Sequence, residues 1–399
     1  MAIKYQSGLS FIRYFLILKK NDRHMRIAAI IVRFLLGVVF IYSGFVKAVD
    51  PWGFQFKLED YFIAFGWDWM IPAAMVMGIM LSAAEFLIGI AFLLGIKPKL
   101  STWSALLFMI LFTPITLYLA ITNAVPDCGC FGDALILTNW ETFYKNLIII
   151  ILVIFIFIYR KKFGHYMKCK LEWIPVAFFT VAILFISFYG LRHLPLMEFL
   201  PYEPGLSMKP SEEQQDQYFV TYLDNRTGEE TEYPADDFPW EDSTWMANNE
   251  FVSQRVVEGE APEYLIAVFD ENFDNVSSDV MLHPEFQFFV VMYDLDKVSE
   301  KAFEEVRDFA AQCESEGVLM TALTATPYDD IETVRHEEQL PIPFYTADDI
   351  VLKMFIRANP GFVLMKDGTI LGKWAWRDLP ELSEINLEEL EAEFLKSSE

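Results

Sequence analysis

Five long apolar runs dominate the first half of the chain, at about residues 28–47, 71–95, 102–123, 146–159 and 173–190. Each is near the ~20 residues that a helix needs to cross the hydrocarbon core of a bilayer. Apolar character on every face predicts membrane-spanning helices rather than amphipathic surface ones. The run FIRYFLILKK near residues 11–20 is too short and too basic to span, and is expected to lie on the membrane surface as part of a basic segment, 1–27. No small-residue cleavage site follows the first long run, so that run is expected to stay in the membrane.

Beyond the fifth run the pattern changes. A polar stretch rich in Pro and Gly, 191–216, reads as a linker. Residues 217–283 read as a small β-rich segment, with a hairpin turned at Asn-Arg-Thr-Gly and, in PEYLIAVFDENFDNVSSDVM, two short strands joined by an Asn/Asp turn. From 284 to the end, strands and helices alternate. FQFFVVMYDL is a buried strand, SEKAFEEVRDFAAQCESEG an amphipathic helix, VLMTALTA a second strand and IETVRHEEQ a short helix. GFVLMKDGTILGKWAW is a hairpin turned at Lys-Asp-Gly-Thr, and LSEINLEELEAEFLKS a closing helix.

Charge divides the chain at the same place. Residues 1–200 hold 18 Lys+Arg and 11 Asp+Glu, whereas residues 201–399 hold 13 and 45, a net of -32. Two such halves suit two different solvents. The acidic half would repel a phosphate backbone, which excludes nucleic acid as a partner. Within the first half, basic residues gather before the first run, after the second (Lys97, Lys99) and after the fourth (Arg160, Lys161, Lys162, Lys168, Lys170); the other loops are mainly acidic. The excess of Lys and Arg on the cytoplasmic side places the N-terminus and loop 161–172 in the cytoplasm and the second half outside.

Two ionisable residues fall inside the spans, Arg33 and Glu85. Counted from the cytoplasmic ends of their helices, their depths differ by roughly 7 Å, which an arginine can bridge. Intramembrane charges pair or serve a site. Three readings stay open: a structural ion pair, a role at a quinone or substrate pocket, and an Arg33 that reaches the interface independently of Glu85. Lys47, at the outer end of its helix, reads as an interface anchor.

The four cysteines are Cys128, Cys130, Cys169 and Cys313. Cys169 falls in the cytoplasmic loop and is expected to be reduced; Cys313 sits on the amphipathic helix and is expected to be a buried, inert thiol. Cys128 and Cys130 occur in PDCGCFGD, just before the fourth span. Alternate residues of an extended chain sit too far apart for an easy disulfide, so a bond between them needs a turn at Gly129. A bond of that kind suits electron exchange better than stapling. A redox-active pair, a structural or inert pair and a metal site are the alternatives. The last is the poorest, because two thiolates with no histidine nearby are half of a tetrahedral set.

CGCFG followed by Trp140 and by Lys145-Asn146 at the head of an apolar helix resembles the DoxX/MauE family of small bacterial membrane proteins. RFLLGVVFIYSGFVKAVDP and AAEFLIGIAFLLG fit the same pattern, so the resemblance covers a four-helix domain at roughly 28–160. It implies quinone-linked redox work, or disulfide formation in exported proteins, at the outer face of a bacterial inner membrane. Cys128 and Cys130 are the matching residues.

The strand and helix order of 284–399 is that of a thioredoxin-like domain. IRANPGFVLMKDGTILGKW resembles the segment of thioredoxin-like and peroxiredoxin-like proteins in which a cis-proline precedes the terminal hairpin, so Pro360 is the expected cis-proline. The family's C-x-x-C would fall in Asp294 to Lys301, which hold no cysteine. Without a thiolate the domain cannot exchange disulfides, and Ser299 is no substitute.

The expected architecture is therefore a membrane helical bundle of about five spans followed by an extracytoplasmic α/β thioredoxin-like domain. One functional expectation is a thiol-redox or protein-maturation accessory that uses Cys128 and Cys130, its second half binding a periplasmic client without catalysing. The other is a non-enzymatic scaffold that recruits an envelope partner through the acidic half. A transporter is disfavoured by the small number of intramembrane charges. No phosphate loop, dinucleotide fingerprint or metal-ligand spacing is present, and no metal is expected.

Overall fold

A computed structural model describes residues 4–125, 127–160, 170–210, 217–234, 242–257 and 264–394; side chains before His24 are outside the description. Cys169 and most of loop 161–172 lie outside the described residues. The chain divides into two units, residues 1–200 and 201–399.

The first unit is helical. Its helices are α1 (Lys4–Val49), α2 (Pro51–Ala64), α3 (Ala74–Leu94), α4 (Pro98–Thr122), α5 (Asn139–Tyr159) and α6 (Trp173–Gly190), with a short extended segment, β1 (Cys130–Asp133), between α4 and α5. Among the described residues, five helices are long and apolar enough to cross a membrane: His24–Val49 of α1, Asp68–Leu94 including the turn before α3, and α4, α5 and α6. Their outward faces carry Phe34, Leu107, Ile110, Ile148, Ile151, Phe178 and Val181, all more than 40% exposed. Water would not tolerate such a surface, and lipid requires it. The protein is an integral membrane protein.

Two expectations for this unit are corrected. Residues 11–20 are not a separate segment; their backbone is continuous with the first span in α1. The stretch after Asp50, taken as a loop, is α2. Pro51 suits a first helical position, and the Asp50 side chain accepts a hydrogen bond from the Gly53 N–H, so the chain restarts as a helix at once. Phe54, Leu58, Tyr61 and Phe62 form its buried face.

Close contact between α1 and α3 sets the register of the bundle. A Cβ at Gly44 would stand 2.4 Å from the Phe86 nitrogen, and one at Gly89 2.5 Å from the Ile41 nitrogen. Small residues let two backbones meet where lipid supplies no hydrophobic drive. Gly37 meets Leu93 in the same way. Arg33 is therefore level with the end of α3 near Gly95, roughly 15 Å along the helix from Glu85. The expected pair of Arg33 and Glu85 does not form: Glu85 is bonded to Lys47.

The second unit contains two sheets. β2 (Gln217–Asp224), β3 (Glu230–Pro234) and β4 (Asn249–Val257), the last preceded by the short helix α7 (Ser243–Asn248), form an antiparallel sheet in the order β3-β2-β4. The larger sheet uses β5 (Val268–Phe269), β6 (Gln287–Val291), β7 (Leu319–Thr324), β8 (Phe344–Ala347), β9 (Gly361–Lys366) and β10 (Thr369–Ala375) in the order β10-β9-β6-β7-β8-β5. β6, β7 and β8 are parallel, and β9 and β10 form an antiparallel hairpin beside β6. The helices α8 (Ser277–Met281), α9 (Glu300–Glu316), α10 (Tyr328–Glu337), α11 (Asp349–Phe355) and α12 (Leu387–Phe394) complete the unit. β6 is buried along its whole length, as a strand covered on both faces must be, and Phe288 packs against Phe309 of α9. The Asn359-Pro360 bond before β9 is cis.

Here too the structure departs from expectation. VSSDVM is a helix, α8, rather than a second strand: the Asn275 side chain accepts hydrogen bonds from the N–H and hydroxyl of Ser277 and turns the chain. The supposed linker is partly ordered, because Gly205 and Met208 donate to the carbonyls of Ile370 in β10 and of Gly368 in the turn before it.

Candidate functional site

Cys128 and Cys130 are held in a loop that α5 closes. Thr138 caps α5 in a reciprocal capping box with Glu141. At the first helical position, the Asn139 amide donates to the side chain of Asn123 and the carbonyl of Val125, which ties the loop to the end of α4. Gly129 and Gly132 have φ of +56° and +55°, a left-handed backbone that reverses the chain within the motif. A β-carbon at Gly129 would also meet the Lys57 side chain at 2.9 Å. The turn expected at Gly129 is thus present, and it brings the two sulfurs to 2.7 Å as free thiols.

The helices α1, α2 and α5 each contribute a polar side chain. From α2, Tyr61 donates its hydroxyl to the Cys128 carbonyl. From α1, Ser43 donates to the Cys130 carbonyl at 2.7 Å. Lys57 pairs with Asp127 at 2.6 Å, and Asp127 accepts from the Gly129 N–H at 2.9 Å. From α5, the Lys145 ammonium lies 4.1 Å from the centre of the Phe131 ring.

This setting separates the two thiols. The Cys130 thiol donates to the Cys128 sulfur, the polar Thr142 hydroxyl adds to its stabilisation, and the Lys145 charge favours the anion. Together they outweigh burial and lower Cys128 to about 6. Cys130 moves the opposite way, well above the ordinary thiol range, because it gives its hydrogen bond to Cys128 and is itself desolvated. The pair shares one proton, with the anion on Cys128. Burial and the facing thiols also raise Tyr61, which keeps it a donor.

Behind the thiols is a cavity of about 50 Å³. Phe108, Phe112 and Ile149 supply part of an apolar wall, whereas Lys47, Glu85 and Lys145 line it together with both cysteines. Lys47 is 6% exposed and Glu85 7%. Sequence reasoning named Glu85 with the wrong cation and missed Tyr61, Thr142 and Lys47 as site residues. The spacing of Thr142, Lys145-Asn146 and Ile149 on one face of α5 was the available signal. Arg33 does not line the cavity.

Residues 25–159 match the family described as Methylamine utilisation protein MauE. The match spans α1 to α5, and every residue that lines the cavity falls within it. The MauE part of the resemblance read from CGCFG is the part this match supports. The match leaves residues 1–24 and 160–399 uncovered, the latter holding α6 and the second unit, about two thirds of the chain in all. No curated protein and no solved structure matches, so nothing is added there to the expectation of a thioredoxin-like domain.

In the second unit, the positions where a C-x-x-C was sought form a short 3-10 turn, Leu295–Lys297, followed by Ser299, whose side chain caps α9. The Asn359 amide donates to the Asp294 carbonyl at 2.7 Å and holds the segment before Pro360 against that turn. Cys313 is 1% exposed on the inner face of α9, and burial pushes its thiol up to about 12.

Proposed function

We propose that the MauE-type unit performs thiol-disulfide exchange with Cys128 and Cys130, as an accessory to the maturation of exported proteins. The observation that carries this reading is the 2.7 Å contact of two free thiols in a pocket that stabilises one of them as an anion. Thiolate character is what disulfide exchange requires, and an ordinary buried cysteine lacks it. In the same reading the loop of Cys128 and the second unit face the outer side of a bacterial inner membrane, with the basic loops in the cytoplasm.

A quinone is the carrier class that the resemblance implies: Phe108, Phe112 and Lys145 are among the residues lining the cavity, which at about 50 Å³ would have to widen to admit its ring. Lys145 would hold one of its oxygens, and when bound it would supply a two-electron acceptor for the dithiol. The second unit enters the proposal as a thioredoxin-like module that docks a client without reacting. Its three parallel strands, its terminal hairpin after cis-Pro360 and its lack of cysteine in Asp294 to Lys301 support that part. The family's description speaks of methylamine utilisation; for this chain the proposal is confined to the dithiol chemistry.

The test is the thiol state of exported proteins in host cells that carry Cys128→Ser/Cys130→Ser. A rise in reduced cysteines among disulfide-bonded exported proteins is the expected result; an unchanged thiol profile contradicts it. A second reading, a scaffold that binds a basic partner, is favoured by the net charge of -32 after residue 200. It predicts that the double variant behaves as wild type while reversal of acidic surface residues does not.

A further inference from the structure

The ion pair of Lys47 and Glu85 has no part in the exchange as described so far, and its position calls for a reason. Both side chains are buried within helices that cross the membrane, and they bond directly to each other. Two charges in that setting carry a large desolvation cost, and apolar side chains of similar size commonly serve packing as well. Glu85 and Lys47 line the same cavity as Cys128 and Cys130. The cavity has room for water and several polar groups to hold it. The charge of Lys47 also acts on Cys130 and works against the burial that keeps its thiol protonated.

Closing the dithiol has a proton balance. Joining the two sulfurs removes two electrons and, because Cys128 is already the anion, one proton, the one held by Cys130. The electrons go to an oxidising acceptor, in the experiment below oxidised glutathione, whose S–S bond breaks to leave two thiolates. The proton must leave a pocket that bulk water does not freely enter.

We propose that Glu85, held in place by Lys47, accepts the proton that leaves the Cys130 sulfur as the disulfide forms, by way of the shared cavity, and returns it when the disulfide is reduced. Glu85 is the carboxylate that lines the cavity. Lys145 and Lys47 are cations and cannot accept a proton, and Tyr61 is already a protonated donor. In this scheme Lys47 is a positioning residue: it orients Glu85 and eases deprotonation of Cys130. The inference rests on the proposed dithiol chemistry.

The experiment uses the full chain, reduced and reconstituted in lipid nanodiscs, with oxidised glutathione as the disulfide probe. Closure of the Cys128-Cys130 bond is followed by mass spectrometry. Glu85→Gln should slow closure by about 10²-fold, the scale typical of a lost proton acceptor. Glu85→Ala should be equally slow and should recover when formate, a small carboxylate, is added; a purely structural role for Glu85 would not respond to formate. Lys47→Met/Glu85→Leu removes both charges and leaves no lone buried ion. It should fold as wild type and close as slowly as Glu85→Gln. Wild-type closure rates in Glu85→Gln or in the double variant would overturn the proposal, as would a slow Glu85→Ala that formate does not restore. If the wild-type pair does not close at all, the dithiol reading fails instead, and the two failures are distinguishable.

Discussion

Cys128 and Cys313 are both buried thiols, 4% and 1% exposed, yet their chemistry diverges. Around Cys128 the bundle places a second thiol, a hydroxyl and an ammonium group, and the thiol falls to about 6. Around Cys313 the α/β unit places a hydrocarbon core of Phe288, Phe309 and Leu364 among others, and the thiol rises to about 12. Burial alone therefore says little about a cysteine. What decides is whether the buried site stabilises the anion, and only the membrane unit of this chain does so for a pair.

The largest consequence is in reactivity toward a thiolate-specific alkylating agent. At pH 7 the thiolate fractions implied by these two values differ by roughly 10⁵-fold. Cys128 is expected to react at a rate that is nearly level above pH 6 and falls about tenfold per unit below it, since the acid form there dominates. Cys313 is expected to stay unmodified until the domain unfolds. Equal labelling of the two in the folded protein breaks the comparison.

Packing comes next, and it separates the units by mechanism. Phe288→Ala empties a site in the centre of the α/β unit and should cost that unit about 3–5 kcal/mol, read from urea unfolding. Gly44→Ala introduces a methyl group against the α3 backbone, where nothing flexible can yield, and should cost the bundle about 1–3 kcal/mol, read from thermal unfolding in detergent. If Gly44→Ala is silent, α1 and α3 do not meet as described. Thr138→Ala is the mildest change. Losing the cap of α5 should cost about 1 kcal/mol and slightly loosen the cysteine loop, measured as faster hydrogen exchange there.

The same contrast governs what could be read from sequence. The five spans were legible because lipid demands uninterrupted apolar runs, and β6 and β9 because both faces of those strands are covered. α2 was not legible, since Lys57, Glu59 and Asp60 interrupt a helix whose buried face shows only in three dimensions. β8 is four residues long and depends on β7 for its pairing, and Leu200 to Met208 look like a linker until β10 is present to pair with them. In the site, the motif identified Cys128, Cys130 and the turn at Gly129. The partner of Glu85 was misassigned because depth was counted from span ends, whereas the glycine contacts of α1 and α3 set the actual register. Tyr61 gave no signal, because it is an ordinary residue made relevant by the fold around it, and Thr142 showed only through its spacing to Lys145-Asn146 and Ile149 on α5.

The central claim is that Cys128 and Cys130 are a working dithiol, and their redox state in living cells tests it most directly. Cells are quenched in acid, free thiols are alkylated, and each cysteine is read by mass spectrometry before and after mild reduction. The account predicts a pair that is partly oxidised and readily reduced, with Cys313 fully reduced. A pair found wholly reduced, or oxidised and resistant to mild reduction, would contradict it.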